Sequence, residues 1–335
     1  MQYAEKWDGV NASTTTISRF TFFAWGVLAY NLLVILWGAF VRATGSGAGC
    51  GNHWPACNGE IIPHDPSIET LIELSHRITS GFALIGVIIM MFWAWRLYPR
   101  ASYPTGHRVR RAAAFSTFFI ITEALIGAGL VLFEYVAANA SIARAYWMAG
   151  HLVNTFFLLA ALTMTAWWSG DKQGERGVMT MQGRAREAML IGIAGVGVLI
   201  LGASGGITAL GDTLILTEGL DPSSSPVVAT LKSLRIYHPV LAFVVWGLLW
   251  LAVWSVGQSS QTIEQNSLIE TARQYGRGIS IIYVVQLLLG GLNVYLKAPV
   301  WLQLVHLLMS DLIWIGLILM AASALSTPAV LAKQP

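Results

Sequence analysis

Residues 20–41 read Phe20-Thr21-Phe22-Phe23-Ala24-Trp25-Gly26-Val27-Leu28-Ala29-Tyr30-Asn31-Leu32-Leu33-Val34-Ile35-Leu36-Trp37-Gly38-Ala39-Phe40-Val41, with no charge between Arg19 and Arg42. As a helix rising 1.5 Å per residue this run is roughly 33 Å long, enough to cross about 30 Å of hydrocarbon. The same charge-free character returns at 78–95, 145–170, 188–211, 236–263 and 278–296. Two more runs, 112–133 and 298–325, carry one acid each, Glu123 and Asp311. Backbone N–H and C=O groups find no water in lipid, so each run is expected to be a helix. The short alternating segments of a membrane β-barrel do not occur. The sequence therefore predicts an all-α integral membrane protein with eight transmembrane helices. Of 335 residues, 55% are hydrophobic and 11% charged, against about a quarter charged in a soluble chain. A net charge of +3 leaves no basic surface for nucleic acid.

Lysine and arginine set the expected orientation. With the N-terminus cytoplasmic, fourteen of the twenty fall on the inner side, among them Lys6, Arg100, Lys172 and Lys333. Six fall outside: Arg42, Arg77, Arg144, Lys232, Arg235 and Lys297. Both termini are thus expected in the cytoplasm. The first run is too long and too cleanly bounded for a cleaved signal, and Glu5 and Asp8 oppose a mitochondrial transit peptide, which points to a bacterial plasma membrane. Two outer loops, 43–69 and 212–232, are punctuated by glycine and proline, and 169–187 is a polar inner connection.

The chain reads as a duplication. Leu36-Trp37-Gly38-Ala39 matches Ile200-Leu201-Gly202-Ala203, and Leu125-Ile126-Gly127-Ala128-Gly129-Leu130 matches Leu288-Leu289-Gly290-Gly291-Leu292. His76 falls opposite His238, His151 opposite His306, and Glu123 opposite Gln286. Two parallel four-helix bundles are expected, at 1–170 and 188–335, joined by a linker at 171–187.

Of the seven histidines, His53, His64 and His107 lie in loops and read as solvated surface. The other four, His76, His151, His238 and His306, sit near the outer starts of the second, fourth, sixth and eighth runs, each expected within the first turn or two. A histidine in lipid is costly without a partner or a task. Two per bundle is the number of axial ligands that a porphyrin iron takes, and helical bundles build such sites from facing helices. Four separate interhelical hydrogen bonds are the plainer reading, but they do not account for repeat-related placement. Zinc would need carboxylates or cysteines at ligand spacing.

The halves differ beside these positions. Glu73 stands three residues before His76, where it can accept a proton or orient water, or simply favour the helix start. Arg235 stands three residues before His238 and suits a heme propionate, as do Arg77 and Arg42 at the same level. Glu123 and Asp311 suit a proton route, a quinone contact or a structural hydrogen bond. Cys50 and Cys57, with six residues between them in the first outer loop, lack the Cys-x-x-Cys-His of covalent heme attachment. They read as a labile bridge made so by strain and exposure, as a structural staple, or as two free thiols.

At these residues the chain resembles the heme A synthase family. The resemblance is carried by Val41-Arg42-Ala43-Thr44-Gly45-Ser46-Gly47-Ala48-Gly49-Cys50-Gly51-Asn52-His53-Trp54-Pro55-Ala56-Cys57-Asn58-Gly59 and by Glu73-Leu74-Ser75-His76-Arg77. It continues at His151, His238-Pro239 and His306, and the eight-helix plan covers nearly the whole chain. It implies oxidation of a ring methyl of heme O to a formyl group by successive hydroxylations. It further implies that His76 and His151 hold the heme O substrate, that His238 and His306 hold a heme b cofactor, and that Glu73 is an acid needed for activity. Cys50 and Cys57 match an outer-loop pair with a proposed redox role. Heme O synthase and terminal-oxidase assembly are implied as partners besides lipid; the electron donor and a homo-oligomer stay open. Some relatives carry a second cysteine pair in the third outer loop, and residues 210–232 contain none, so exchange between two disulfides is not expected. The rival readings are a diheme b-type cytochrome for electron transfer and a heme carrier or transporter.

Overall fold

The computed structural model describes residues 5–98, 106–171, 176, 178–259 and 266–327. Arg100, Lys172 and Lys333, and the side chains of Lys6 and His107, lie outside the described residues. Among those described, the chain forms α1 (Glu5–Ala43), α2 (Ile68–Leu97), α3 (Gly106–Leu132), α4 (Ile142–Ser169), α5 (Ala185–Asp212), α6 (Pro226–Leu234), α7 (Tyr237–Gln258), α8 (Asn266–Tyr295) and α9 (Val300–Ala324). They give eight spans long and apolar enough to cross a membrane, the sixth of them Pro226–Gln258. The all-α membrane fold read from the sequence is the fold observed.

Serine caps explain several starts. Ser67, Ser141 and Ser225 each accept a backbone N–H from three residues ahead, Thr70, Arg144 and Val228, satisfying one of the four free donors of a first turn. Two boundaries differ from the sequence reading. The 212–232 segment is not a plain loop: a π-helical turn at Thr213–Thr217 extends α5, and α6 follows it. Pro239 then has no N–H to give the carbonyl of Arg235, so the helix breaks there and restarts at Tyr237. The second difference is that α2 begins at Ile68, in the charged stretch before the apolar run. His76 and His151 therefore lie in the third turns of α2 and α4, not in the first two.

Helices α1 to α4 pack on one another, as do α5 to α9, and the seam between them is made by α1, α4, α5 and α9. One apolar core runs through both sets, from Phe20 and Val87 to Phe156, Val245 and Met320. Three contacts tie the seam. The indole of Trp314 on α9 donates to the Phe156 carbonyl on α4 (2.6 Å). Gly202 on α5 lies where a Cβ would overlap the Phe156 ring. Arg42, at the end of α1, donates to Ala209 O on α5 (2.8 Å), to Thr213 Oγ1 just past it (2.7 Å), and to Gln303 Oε1 on α9 (2.9 Å). The inner connection is pinned too: β1 (Val178–Met179) pairs antiparallel with β2 (Ser326–Thr327), just past α9, and Arg184 donates to the carbonyls of Ala324 and Ser326. The expected linker is therefore anchored to the end of the second half.

Candidate functional site

His238 on α7 and His306 on α9 face each other, with ring centroids 6.5 Å apart. An iron bonded to two imidazoles at about 2.0 Å each sets their centroids roughly 6 Å apart, so this pair fits a metal ligated from both sides. Each ring is seated on a glycine. A Cβ at Gly205 on α5 would lie 3.1 Å from His238 Cε1, and one at Gly290 on α8 would lie 3.3 Å from His306 Cε1. Ser204 Oγ is 2.9 Å from His238 Nδ1, which leaves Nε2 for a ligand bond, whereas the buried Nδ1 of His306 has no hydrogen-bond partner among the described residues. Gln286 on α8 donates to the His306 carbonyl (3.0 Å) and to Ser310 Oγ (2.7 Å). Among the described residues no three His, Cys, Asp or Glu side chains converge on one point. Each histidine pair offers two ligands, the number that a porphyrin iron accepts along its axis.

The first half keeps part of this plan. His76 on α2 is seated on Gly38 of α1, where a Cβ would come within 2.9 Å of Cε1, and its buried Nδ1 is unpartnered among the described residues. By contact the counterpart of Gly38 is Gly205, one turn beyond the Gly202 that sequence matching pairs with it. His151 on α4 does not rest on Gly127, the counterpart of Gly290, which meets nothing within 4 Å. Its buried Nδ1, like those of His76 and His306, makes no hydrogen bond among the described residues, but it lies 3.4 Å from Glu123 Oε1, one turn back along α3. Glu123 in turn accepts from Asn154 Nδ2 (2.6 Å) and from the Thr155 hydroxyl.

Glu73, expected beside His76, is buried and holds the first outer loop. Its Oε2 accepts the Cys50 N–H (2.8 Å) and its Oε1 accepts Arg77 Nε (3.1 Å) and Nη2 (2.5 Å). Arg77 Nη1 donates onward to the carbonyls of His53 (2.7 Å) and Ala56 (2.7 Å). Arg77 is thus engaged by the loop. Cys50 and Cys57 form a disulfide, which excludes free thiols, and both are fully buried. The exposure expected to make this bridge labile is not found. The loop lies close on α2 because Gly49 has no side chain: a Cβ there would overlap the carbonyl of Glu69. Overpacking of this kind costs about 1–3 kcal/mol. Gly49→Ala is therefore expected to lift the loop and speed reduction of the bridge by dithiothreitol at least ~5-fold, read as alkylation mass shifts over time.

The remaining expected residues divide. Arg235 pairs with Asp212 (3.0 Å), and Arg42 holds the seam. His53 and His64 are exposed as expected, the latter 3.0 Å from Glu60. Asp311 is fully buried on α9, and neither of its carboxylate oxygens has a partner among the described residues. Sequence reasoning missed Ser204, Asn154, Thr155 and Asp212. Their only signal was polarity on an otherwise apolar helix face.

A family profile described as cytochrome oxidase assembly protein (COX15-CtaA) matches residues 21–318. The chain is 44% identical over 316 residues to a Thermus thermophilus protein named protoheme IX farnesyltransferase, across 93% of this chain and 49% of that protein. It is 46% identical over 102 residues to a heme A synthase of Shouchella clausii, across 30% of this chain and 32% of that protein. To a heme A synthase of Bacillus cereus it is 42% identical over 111 residues, across 33% of this chain and 34% of that protein. The chain spans about half the length of the Thermus relative, and its matches to the other two cover about a third of each. With its eight apolar spans it is a multi-pass bacterial membrane protein, and it belongs to the cytochrome oxidase assembly protein family, COX15-CtaA.

Proposed function

We propose that this chain is a heme A synthase, an oxidoreductase that converts a ring methyl of heme O to a formyl group. The observation that carries the reading is the pair of repeat-related histidine sites: His238 and His306 are seated on glycines with their rings at the spacing of a doubly ligated iron, and His76 is seated on Gly38. Two heme A synthases among the relatives support it. The chemistry is two successive hydroxylations of one carbon, the second giving a hydrated aldehyde that loses water.

In this reading residues 1–170 form the substrate bundle, with heme O between His76 and His151. Residues 188–335 form the cofactor bundle, with heme b between His238 and His306, where it supplies one-electron transfer. Ser204 fixes the His238 ring through Nδ1, and Gln286 fixes the backbone of His306. Glu73 and Arg77 hold the disulfide loop against the start of α2, on the side assigned to the outer face by the charge bias. Arg235 and Arg42 remain the cations proposed for the propionates, which requires each to exchange its present partner, Asp212 or Gln303, when heme binds. Farnesylation of protoheme, the reaction named for the Thermus relative, is the class of reaction that would supply the substrate, so an enzyme of that class is the expected partner.

The test is mass spectrometry of hemes extracted from the purified protein after co-expression with a heme O synthase under air. Heme B together with heme O and heme A, or its hydroxylated intermediate, is the expected result. Heme B alone, with heme O plentiful in the membranes, would make an electron-transfer cytochrome the better account.

A further inference from the structure

The two halves each place a hydroxyl side chain four residues beyond the histidine and differ in the polar side chain that faces it. On α9, Ser310 is four residues beyond His306 and donates to its carbonyl (3.1 Å); on α4, Thr155 is four residues beyond His151 and does the same (2.9 Å). Facing them stand Gln286 on α8 and Glu123 on α3. Gln286 is a donor here: its Nε2 serves the Ser310 hydroxyl and the His306 carbonyl, and His306 Nδ1 stays unpartnered among the described residues. Glu123 can only accept. It takes the Thr155 hydroxyl and the Asn154 amide, and it turns Oε1 toward His151 Nδ1 at 3.4 Å. That distance is long for a formed hydrogen bond, and it is the length from which such contacts tighten when a site fills. The carboxylate is well aimed, because Asn154 is itself held by Thr122 (2.7 Å) and by the Phe119 carbonyl (2.9 Å).

We infer that Glu123 is the positioning residue of the first site, accepting a hydrogen bond from His151 Nδ1 so that Nε2 is presented to the porphyrin. The inference rests on the heme reading above. A carboxylate behind a ligating imidazole fixes its tautomer and raises its basicity. His151 is then a stronger donor to iron than His306, and the ferric state is favoured at the first site more than at the second. Glutamate in place of glutamine, aimed by Asn154 where the second half has Met309, thus gives the two sites different electronic characters. The repeat also supplies its own control, since glutamine is already accommodated at the equivalent position.

The experiment uses the full chain purified with its hemes. His238→Ala is introduced into both the wild type and Glu123→Gln to isolate the first site. Heme retention, the ferric low-spin EPR signal and the one-electron midpoint potential are read for each. Glu123→Gln is expected to weaken heme retention at the first site about 10-fold or more and to move the potential of the remaining heme upward. Gln286→Glu, read in a His151→Ala background, is expected to move the second site downward. Heme bound in Glu123→Gln with unchanged potential and EPR signal overturns the inference and leaves the heme reading standing. If Glu123→Gln retains too little heme to measure, a Gln286→Glu potential that does not fall overturns it. No heme at the first site of the protein with Glu123 intact overturns both. A residue that merely stabilised the fold would lower heme content without moving the potential.

Discussion

Glu73→Ala is expected to lower heme A formation by at least about 10²-fold while both histidine pairs keep their hemes. The carboxylate lies one turn before His76 on α2, and it contacts the Cys50 N–H and Arg77 rather than the imidazole. Its loss leaves the His76 seat on Gly38 intact, so the iron ligands stay in place. What changes is the ground above them. Arg77 loses its only carboxylate partner among the described residues, and deleting one member of a buried pair costs roughly 3 kcal/mol or more. The Cys50 amide loses its acceptor as well. Glu73→Gln separates the two things the carboxylate does. It can still accept from Cys50 and hold the loop, but it can neither take up a proton nor balance Arg77. Activity retained in Glu73→Gln and lost in Glu73→Ala assigns a holding role; activity lost in both assigns the charge. Normal turnover in Glu73→Ala, read as heme A formed per heme O supplied, would sink the catalytic assignment.

The spans and the approach of His238 to His306 were legible because both rest on strong physical penalties. A charge-free run of twenty or more residues has few soluble explanations, and four imidazoles at matched places in lipid demand a common task. The pairing of His238 with His306 followed from the repeat alone. What the sequence hid depends on directions rather than on residue types. Arg42, Arg77 and Arg235 were read as propionate partners from their level in the membrane, yet their guanidinium groups point to Gln303, to Glu73 and to Asp212. One of the three readings of Cys50 and Cys57 took their bridge, in a glycine-rich loop, as exposed and labile. The same glycine, at Gly49, lets that loop settle against α2 and bury the bridge. The break between α6 and α7 was in principle readable from Pro239, since proline within an apolar run marks the carbonyl four residues earlier. Asn154 and Thr155 could not be ranked above any other polar residue until α3 brought Glu123 to them.

His238→Ala and His306→Ala are each expected to remove the heme b of the second bundle, lowering total heme from two per chain toward one. A heme iron held by His238 and His306 would lose a large share of its attachment with either ligand. The scaffold survives the change. His306 Nδ1 has no partner to abandon among the described residues, and His238 gives up the Ser204 contact, worth about 1 kcal/mol. The imidazoles are half-buried against Gly205 and Gly290, outside the fully buried core, so truncation opens no void inside it. Neither residue touches the seam contacts of Arg42 or Trp314, so the first bundle should keep its own heme. The measurement is heme content per chain by pyridine hemochrome spectra, alongside thermal unfolding in detergent to show that the fold persists. Loss of one heme in each variant, with an unchanged melting profile of the heme-free protein, places the cofactor between α7 and α9. Undiminished heme b in both variants would refute the pairing, and with it the division of labour in which the second bundle passes electrons to the first.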